Sequence, residues 1–418
     1  MLHFLPYGFG FLWLVGFGTI FSVSASHWLG AWAGLEINLI GFVPILLYRG
    51  MSVESESTMK YLVVQALGSS LLLFGSLSVF GESQGWGFGE VGGLSLSLSC
   101  LVIFFGLMMK LGVFPFHFWL PSVMSGLSWF GCMVLATWQK LAPIFLMGCL
   151  LEGDEKSSLV IMAVVLSCLS ALAGGVGGLN QTQFRALLAY SSIVHLGWLT
   201  YCLTCHQGAL KLYLFVYIIT SVMIFGILLT VEMNTFASIK KLSSEKLMTS
   251  IVMTVILLSL AGMPPLLGFS SKWVAINCGV YLGSSLLGIG FLVIGSLMSL
   301  FYYLSLCYLF IFSLYDLGSE SSSSESFAGM VRDWFKGYSW MFLFVMIVTF
   351  LGGVPIVWSS EFWLGFFYAL ILFYESQSYW YFMHYVWCVI WFSWDCFETF
   401  NSSWTWSASG SFSWWSAL

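Results

Sequence analysis

Charged side chains are scarce in this chain of 418 residues. It contains 13 Lys and Arg and 18 Asp and Glu, so 7% of its residues are charged and its net charge is −5, whereas about a quarter of the residues of a soluble domain are charged. Hydrophobic residues make up 59% of the chain, without counting its 43 glycines. Such a composition excludes soluble enzymes, disordered chains and nucleic-acid-binding proteins, because too few polar groups remain to cover a soluble fold. It indicates a polytopic membrane protein.

The sequence also lacks the usual signs of export and of bound redox groups. Residues 4–23 form an apolar stretch with no basic segment before it and no small-residue cleavage site after it, so we expect the first helix to be retained. The run Cys202-Leu-Thr-Cys205-His206 fits the haem-attachment pattern, but it stands at a predicted helix end with no haem-binding domain around it. No phosphate-binding loop or dinucleotide fingerprint is present. We therefore predict no cofactor, no metal and no direct NADH binding in this chain.

The apolar runs have the length of membrane-spanning helices. About 20 apolar residues cross a bilayer as a helix, and the runs show no alternation typical of a barrel. We predict an all-α bundle of eleven spans near 4–24, 27–48, 60–81, 94–114, 128–150, 158–178, 184–203, 209–231, 247–267, 280–313 and 337–358. Two shorter apolar pieces, 362–374 and 379–394, suit interfacial or re-entrant segments. The serine-rich segment from Asp316 to Lys336 is predicted to be a solvated linker.

The positions of Lys and Arg predict the orientation of the bundle. Loops on the side of the N-terminus carry eight basic residues: Arg49, Lys60, Arg185, Lys240, Lys241, Lys246, Arg332 and Lys336. The opposite side carries Lys156 and Lys211, with Lys272 as a third if it lies outside the membrane. Because basic loops stay on the side from which a protein is inserted, the N-terminus is predicted to face that side.

Five ionisable residues interrupt otherwise apolar runs: Glu36, Lys110, Lys140, His195 and Lys272. A charge at the centre of a bilayer costs about 2.5–3.5 kcal/mol on insertion scales, so such residues need partners or water inside the bundle. They mark ion pathways by default, although a single buried lysine can also serve packing alone. We expect the five to lie at similar depth, with Glu36 within direct or one-water reach of Lys110.

Two predicted spans contain helix breaks. The first break has Gly112 and Pro115, and the second has Gly262, Pro264 and Pro265. Proline removes a helical hydrogen bond and leaves a carbonyl that lipid cannot satisfy. Five helical units separate the two breaks, so the second unit is inverted relative to the first. Paired breaks in inverted halves are typical of a transport site at the middle of the membrane, and two ordinary proline kinks are the alternative.

Four motifs occur together in this order: Met-Met-Lys-Leu-Gly-Val-Phe-Pro-Phe-His-Phe-Trp-Leu-Pro at 108–121, Thr-Trp-Gln-Lys-Leu-Ala-Pro at 137–143, Gly-Gly-Leu-Asn-Gln-Thr-Gln-Phe-Arg-Ala-Leu-Leu-Ala-Tyr-Ser-Ser at 177–192 and Ala-Gly-Met-Pro-Pro-Leu-Leu-Gly-Phe at 261–269. The chain thereby resembles, over about residues 10–315, the subunit 2 family of mitochondrial NADH:ubiquinone oxidoreductase, respiratory complex I. Residues 26–38 resemble its shortened animal form, which lacks three leading helices.

The resemblance implies roles for the five ionisable residues. Glu36 corresponds to the glutamate that interacts with the first pumping lysine, and Lys110 corresponds to that lysine. Lys140 matches the bridging lysine, Lys272 matches the lysine after the second break, and His195 fits a relay between the last two. The implied fold is antiporter-like, with two inverted five-helix repeats that each contain one broken helix.

The resemblance also implies a place in a complex. The chain would translocate protons in the mitochondrial inner membrane with its N-terminus in the matrix, among other membrane-arm subunits and lipids. FMN, iron–sulfur clusters and ubiquinone would belong to the assembled complex and not to this chain. Residues 1–358 would form the transmembrane domain, with the first repeat at about 27–231 in part and the second from about 247, and 359–418 would be an unassigned extension. The alternatives are a multisubunit cation/proton antiporter subunit and a non-pumping membrane-arm scaffold.

Overall fold

The computed structural model describes residues 8–88, 98–151, 158–231, 247–264, 266–282 and 286–320, together with residue 349. All regular secondary structure in this part of the chain is helical, as predicted, apart from one isolated bridge between His27 and Gly87. The helices in chain order are α1 (Gly8–Ser24), α2 (Trp28–Leu46), α3 (Ser52–Ser83), α4 (Leu98–Leu111), α5 (Trp119–Gly126), α6 (Trp129–Ala136), α7 (Leu141–Leu151), α8 (Ser158–Gly178), α9 (Phe184–Cys205), α10 (Gln207–Val231), α11 (Leu247–Ala261), α12 (Leu267–Tyr281) and α13 (Leu286–Glu320). A short 3-10 helix, Trp138–Lys140, joins α6 to α7.

The described helices account for most of the predicted spans. Seven helical segments are long and apolar enough to cross a membrane, and three shorter apolar helices accompany them within the described residues. These ten segments lie on ten of the eleven predicted spans. Of the eleventh, 337–358, only residue 349 is described, and the pieces 362–374 and 379–394 lie outside the described residues. The extension 359–418 lies outside them as well.

Several helix boundaries differ from the predicted ones. Helix α3 begins at Ser52, eight residues before the predicted span at 60, and α13 continues to Glu320, into the predicted linker. A helix also forms at Leu267–Tyr281, where no separate span was predicted. Ser270, Ser271 and Lys272 lower the hydropathy of this segment below that of a span, yet all three are buried, because neighbouring helices cover them.

Close helix packing fixes the position of α2. A side chain added at Gly18 of α1 would come within 2.5 Å of the backbone nitrogen of Asn38, and one at Gly34 of α2 would come within 2.5 Å of the nitrogen of Ser22. Small residues at such crossings let helix backbones approach closely, which is common in membranes. The crossing therefore holds the middle of α2, which contains Glu36 and Asn38, against α1.

Two sets of contacts join helix ends that are distant in the chain. In the first set the Arg185 guanidinium lies 4.7 Å from the ring centroid of Trp129, and the charges of Arg49 and Glu54 act on Arg185. In the second set the backbone N–H of Trp28 donates to the carbonyl of Trp86, which joins the α1–α2 turn to the end of α3.

Candidate functional site

The three lysines selected from the sequence are buried, and each stands at an interruption of a helix. Lys110, Lys140 and Lys272 expose only 6%, 5% and 7% of their surface. Lys110 lies two residues before the first break, Lys140 ends the 3-10 helix, and Lys272 reaches back to the second break. Helix interruptions release backbone carbonyls from the helical hydrogen bonds. Such carbonyls are suitable partners for an ammonium group away from bulk water.

At the first break, α4 ends beside Lys110. Gly112 has a φ of +77°, and the N–H of Val113 donates to the carbonyl of Met108 at 3.2 Å. A positive φ is accessible to glycine at little cost, which explains why the helix stops here. Two side chains then donate hydrogen bonds to carbonyls at this helix end. Trp119 Nε1 donates to the carbonyl of Met109 at 3.1 Å, and Gln65 Nε2 donates to the carbonyl of Lys110 at 3.3 Å.

At the second break, Lys272 itself satisfies the end of α11. Gly262 has a φ of +84°, and the N–H of Met263 donates to the carbonyl of Leu258 at 3.2 Å. Lys272 Nζ donates to the carbonyl of Ala261, the last residue of α11, at 2.8 Å. The C-terminus of a helix carries a partial negative charge, so it can stabilise the ammonium, which forms no ion pair with a carboxylate among the described residues.

The two breaks share one backbone design. Each has a glycine with positive φ, then a residue whose N–H bonds five residues back, then a turn. The turns are closed by the N–H of Phe116 on Val113 and by the N–H of Leu266 on Met263, both at 2.9 Å. Pro115 lies within the first turn and Pro264 within the second, whereas Pro265 lies outside the described residues. The two breaks thus share a backbone geometry although the residues around them differ.

A third interruption holds Lys140, and the sequence did not predict it. The span breaks after Ala136, passes through the 3-10 helix and continues as α7. Pro143 stands in the first turn of α7, where its missing N–H is tolerated. Because Pro143 cannot donate to the preceding turn, a continuous helix through Gln139 would leave a carbonyl without its partner.

A polar cavity of about 20 Å³ connects Lys110 with Lys140. This volume is enough for about one water molecule. The lining residues are Tyr61, Gln65, Lys110, Leu111, Trp119, Leu120, Leu135, Gln139 and Lys140. The first and third interruptions therefore open onto the same buried polar space.

Glu36 lies near this group but does not form a direct ion pair with Lys110, which was one of the two contacts predicted from the sequence. Its charge acts on Lys110 and on Tyr61, yet no direct ion pair joins Glu36 to Lys110 within the described structure. One carboxylate oxygen, Oε1, is buried with no hydrogen-bond partner among the described residues. A contact between Glu36 and Lys110 through one water molecule, the other predicted arrangement, remains a prediction.

An amide pair ties the helix of Glu36 to the segment of Lys140. Asn38 Nδ2 donates to Gln139 Oε1 at 2.9 Å, and Gln139 Nε2 donates to Asn38 Oδ1 at 3.0 Å. Asn38 is 3% exposed. Because both amides are satisfied reciprocally, the pair sets α2 in register with the 3-10 helix.

Two buried tyrosines contact His195, and one of them, Tyr217, also contacts Lys140. Lys140 Nζ donates to Tyr217 Oη at 3.0 Å, and the Tyr217 hydroxyl donates to the carbonyl of Ala136 at 3.1 Å. The ring centroids of His195 and Tyr217 are 5.1 Å apart. His195 Nδ1 lies 2.9 Å from Tyr213 Oη, and the charges of Lys140 and Lys272 both act on His195.

Several of these groups were missed by sequence reasoning. Tyr213, Tyr217 and Gln139 carry no charge, so they do not stand out in an apolar run. His117, in the first break, is 6% exposed, and its Nδ1 has no hydrogen-bond partner among the described residues. The sequence signal that could have identified two of them is their position: Gln139 directly precedes Lys140, and His117 stands two residues after Pro115.

The assembled groups can hold and transfer protons. Ammonium, imidazole, phenol and carboxylate groups follow one another through contacts, electrostatic interactions and one small cavity. Lysines held away from bulk water gain or lose a proton under modest changes of nearby charge. A charge that moves at one position therefore biases the next.

Comparisons with known proteins agree on one family. The family described as NADH:quinone oxidoreductase/Mrp antiporter, transmembrane, matches residues 25–301. NADH-ubiquinone oxidoreductase chain 2 of Salmo salar is 39% identical over 310 residues, which cover 72% of this chain and 84% of the relative. The protein of the same name from Xenopus laevis is 39% identical over 290 residues, which cover 69% and 81%.

Solved structures share the fold. A chain of respiratory complex I from Thermus thermophilus with bound aureothin superposes with a TM-score of 0.65 and 24% identity, covering 72% of this chain and 70% of that one. A chain of the Mrp complex from Dietzia sp. DQ12-45-1b gives a TM-score of 0.65 and 19% identity, covering 71% and 59%. At these identities the likeness concerns the fold alone.

Proposed function

The chain belongs to the NADH-ubiquinone oxidoreductase chain 2 family, within the wider NADH:quinone oxidoreductase/Mrp antiporter family, and on that premise we propose that it is a proton-translocating subunit of the membrane arm of respiratory complex I. It would contribute to proton movement across the inner mitochondrial membrane, coupled to electron transfer from NADH to ubiquinone. The chain acts as part of that oxidoreductase and supplies the pathway for protons.

The observation that carries this proposal is the placement of three buried lysines at three helix interruptions. Lys110 and Lys140 share one polar cavity, and Lys140 leads through Tyr217 to His195. Lys272 acts electrostatically on His195 from the second break. A scaffold would gain nothing from three buried ammonium groups, since apolar residues of similar size are as stable or more stable in such positions.

Charge movement along this series explains the transport. Each lysine has a partner for its charged form: the cavity and the field of Glu36 at Lys110, Tyr217 at Lys140, and the end of α11 at Lys272. When one group loses its proton, the field at its neighbour changes and the neighbour can take up or release a proton. A proton moved across the membrane potential is worth about 2.3 kcal/mol per 100 mV, which interactions at this range can match.

The redox groups belong elsewhere in the proposed complex. FMN, the iron–sulfur clusters and the ubiquinone site would lie in other subunits, and this chain would bind no NADH. Its partners would be the neighbouring membrane-arm subunits and lipids. Coupling to electron transfer would reach this chain as a change of charge or conformation at its boundary with those subunits.

The topology follows from the same proposal. Residues 1–358 would form the antiporter-like domain of two inverted repeats, and the N-terminus would face the matrix. The shared backbone design of the breaks at Gly112 and Gly262 supports the repeats. The proximity of Arg49 and Arg185 supports the side to which both were assigned.

A cation/proton antiporter subunit is the second candidate, because the family and one structural neighbour include Mrp proteins. Purification of the native complex separates the two. We expect this chain to co-migrate with subunits that contain flavin and iron–sulfur clusters, and NADH oxidation should depend on them. Isolation in a complex without flavin that exchanges cations for protons would favour the antiporter.

A further inference from the structure

We propose that Tyr217 is the positioning residue that couples Lys140 to His195, and that its hydroxyl is required for the proton to pass between them. The inference rests on the proposed function, because it concerns one step of that proton path. Tyr217 lies on α10, opposite the third interruption, and only 5% of its surface is exposed.

The hydroxyl of Tyr217 has two partners that fix its orientation. It accepts from Lys140 Nζ at 3.0 Å and donates to the carbonyl of Ala136 at 3.1 Å. An ammonium group has three donors and no acceptor, so charged Lys140 can only donate to the hydroxyl. The hydroxyl hydrogen must then point elsewhere, and Ala136, as the last residue of α6, offers a carbonyl at a helix end. The observed arrangement suits the charged form of Lys140.

Loss of the proton from Lys140 permits a second arrangement. A neutral amine has a lone pair, which can accept the Tyr217 hydroxyl hydrogen in place of the Ala136 carbonyl. The direction of one O–H bond therefore follows the protonation state of Lys140. The third helix interruption makes this possible, since it supplies the alternative acceptor within reach of the same oxygen.

The aromatic ring of Tyr217 lies close to both Lys140 and His195. Lys140 Nζ lies 4.9 Å from the ring centroid of Tyr217, and the His195 centroid lies 5.1 Å from it. The aromatic face stabilises the nearby cation. His195 Nδ1 lies 2.9 Å from Tyr213 Oη, and in the tautomer that donates from Nδ1 to this oxygen, Nε2 carries no hydrogen and can take up a proton. In the proposed step an N–H bond of the Lys140 ammonium breaks and an N–H bond forms at His195 Nε2, so Lys140 becomes neutral and His195 becomes an imidazolium. The Tyr217 hydroxyl hydrogen then turns from the Ala136 carbonyl to the lone pair of Lys140 Nζ.

The test uses the intact complex, purified and reconstituted in liposomes. Tyr217→Phe keeps the ring and removes the hydroxyl, whereas Tyr217→Leu removes both. The readout is the number of protons pumped per pair of electrons, measured beside the rate of NADH oxidation in the presence of an uncoupler. A hydrogen bond to a charged group corresponds to about a ten- to hundredfold change in an equilibrium. We therefore expect pumping by Tyr217→Phe to fall by at least about tenfold and pumping by Tyr217→Leu to fall further, with uncoupled NADH oxidation retained.

Tyr302→Phe is the matched control. Tyr302 is 3% exposed, and its hydroxyl interacts with Ser299 of its own helix and contacts neither Lys140 nor His195 among the described residues. The same chemical change there should leave pumping unchanged. A loss of pumping in Tyr302→Phe equal to that in Tyr217→Phe would overturn the proposal, because any buried hydroxyl would then have the same effect.

Comparison with Lys140→Met separates this inference from the proposed function. If Tyr217→Phe pumps normally and Lys140→Met does not, Tyr217 has no coupling role and the proton path through Lys140 stands. If both pump normally, the proton path itself fails. Should Tyr217→Phe not assemble, a map of the unmodified complex decides: Lys140 Nζ within hydrogen-bond distance of Tyr217 Oη supports the proposal, and Lys140 turned away in both resting and turning-over complexes contradicts it.

Discussion

Lys272 donates a hydrogen bond of 2.8 Å from its ammonium group to the carbonyl oxygen of Ala261, eleven residues earlier in the chain. The bond joins the start of α12 to the end of α11 across the second break. A helix C-terminus stabilises a nearby cation by up to about 2 kcal/mol when the contact is partly buried. A buried lysine can thus be stabilised by the end of a broken helix in place of a carboxylate. The helix break supplies the carbonyl, and the lysine satisfies it.

Substitution of Gly262 should disturb Lys272 directly. A Cβ at this position would lie 2.9 Å from Lys272 Nζ, and the φ of +84° is strained for any other residue, at a cost of about 1–2 kcal/mol. We expect Gly262→Ala to reduce proton pumping per electron pair in the reconstituted complex. Gly290→Ala is the control, because a Cβ there meets nothing within 4 Å. Equal pumping by the two variants would show that Lys272 does not depend on this contact.

The Asn38–Gln139 pair should make a measurable contribution to stability. Asn38→Leu leaves the Gln139 amide without its partner, and an unsatisfied buried polar group costs about 1–3 kcal/mol. We expect a lower midpoint of thermal unfolding for the purified complex. Replacing both residues by leucine should recover part of the loss, since no amide then remains unpaired. If the double variant loses as much stability as Asn38→Leu and Gln139→Leu combined, or more, this explanation is contradicted.

Thiol labelling tests the orientation. Met51, between α2 and α3, is 60% exposed, and Tyr281, at the end of α12, is 81% exposed. If the N-terminus faces the matrix, a membrane-impermeant maleimide should label Tyr281→Cys in intact mitoplasts, above the background of the unmodified chain. Met51→Cys should react only after the inner membrane is permeabilised. The reverse pattern would show that the basic residues give the wrong side.

The sequence was sufficient to select three lysines that the structure buries at helix interruptions. Lys110, Lys140 and Lys272 stand out because each is a single charge in a long apolar run, where a charge is costly. Gly112 and Gly262 stand out because glycine followed by proline seldom continues a helix. These signals are local, so they do not depend on how the helices pack.

The connections between those charges could not be predicted from the sequence. Asn38 and Gln139 are 101 residues apart, and Tyr217 is 77 residues from Lys140. Uncharged polar residues in a buried helix cause no break in hydropathy, and only packing decides which of them meet. The helix α12 was missed for the opposite reason, since its polar residues suggest a loop until neighbouring helices bury them.

Proton pumping by Lys110→Met tests the central claim most directly. Lys110 lines the shared cavity, whereas Lys60 lies half-exposed in an ion pair with Glu56, so Lys60→Met is the control. The measurement is the number of protons pumped per pair of electrons by the assembled, reconstituted complex. We predict that Lys110→Met assembles and oxidises NADH in the presence of an uncoupler, but that its pumping is abolished or sharply reduced, while Lys60→Met pumps normally. Normal pumping per electron pair by Lys110→Met would contradict the assignment of a proton path to this chain.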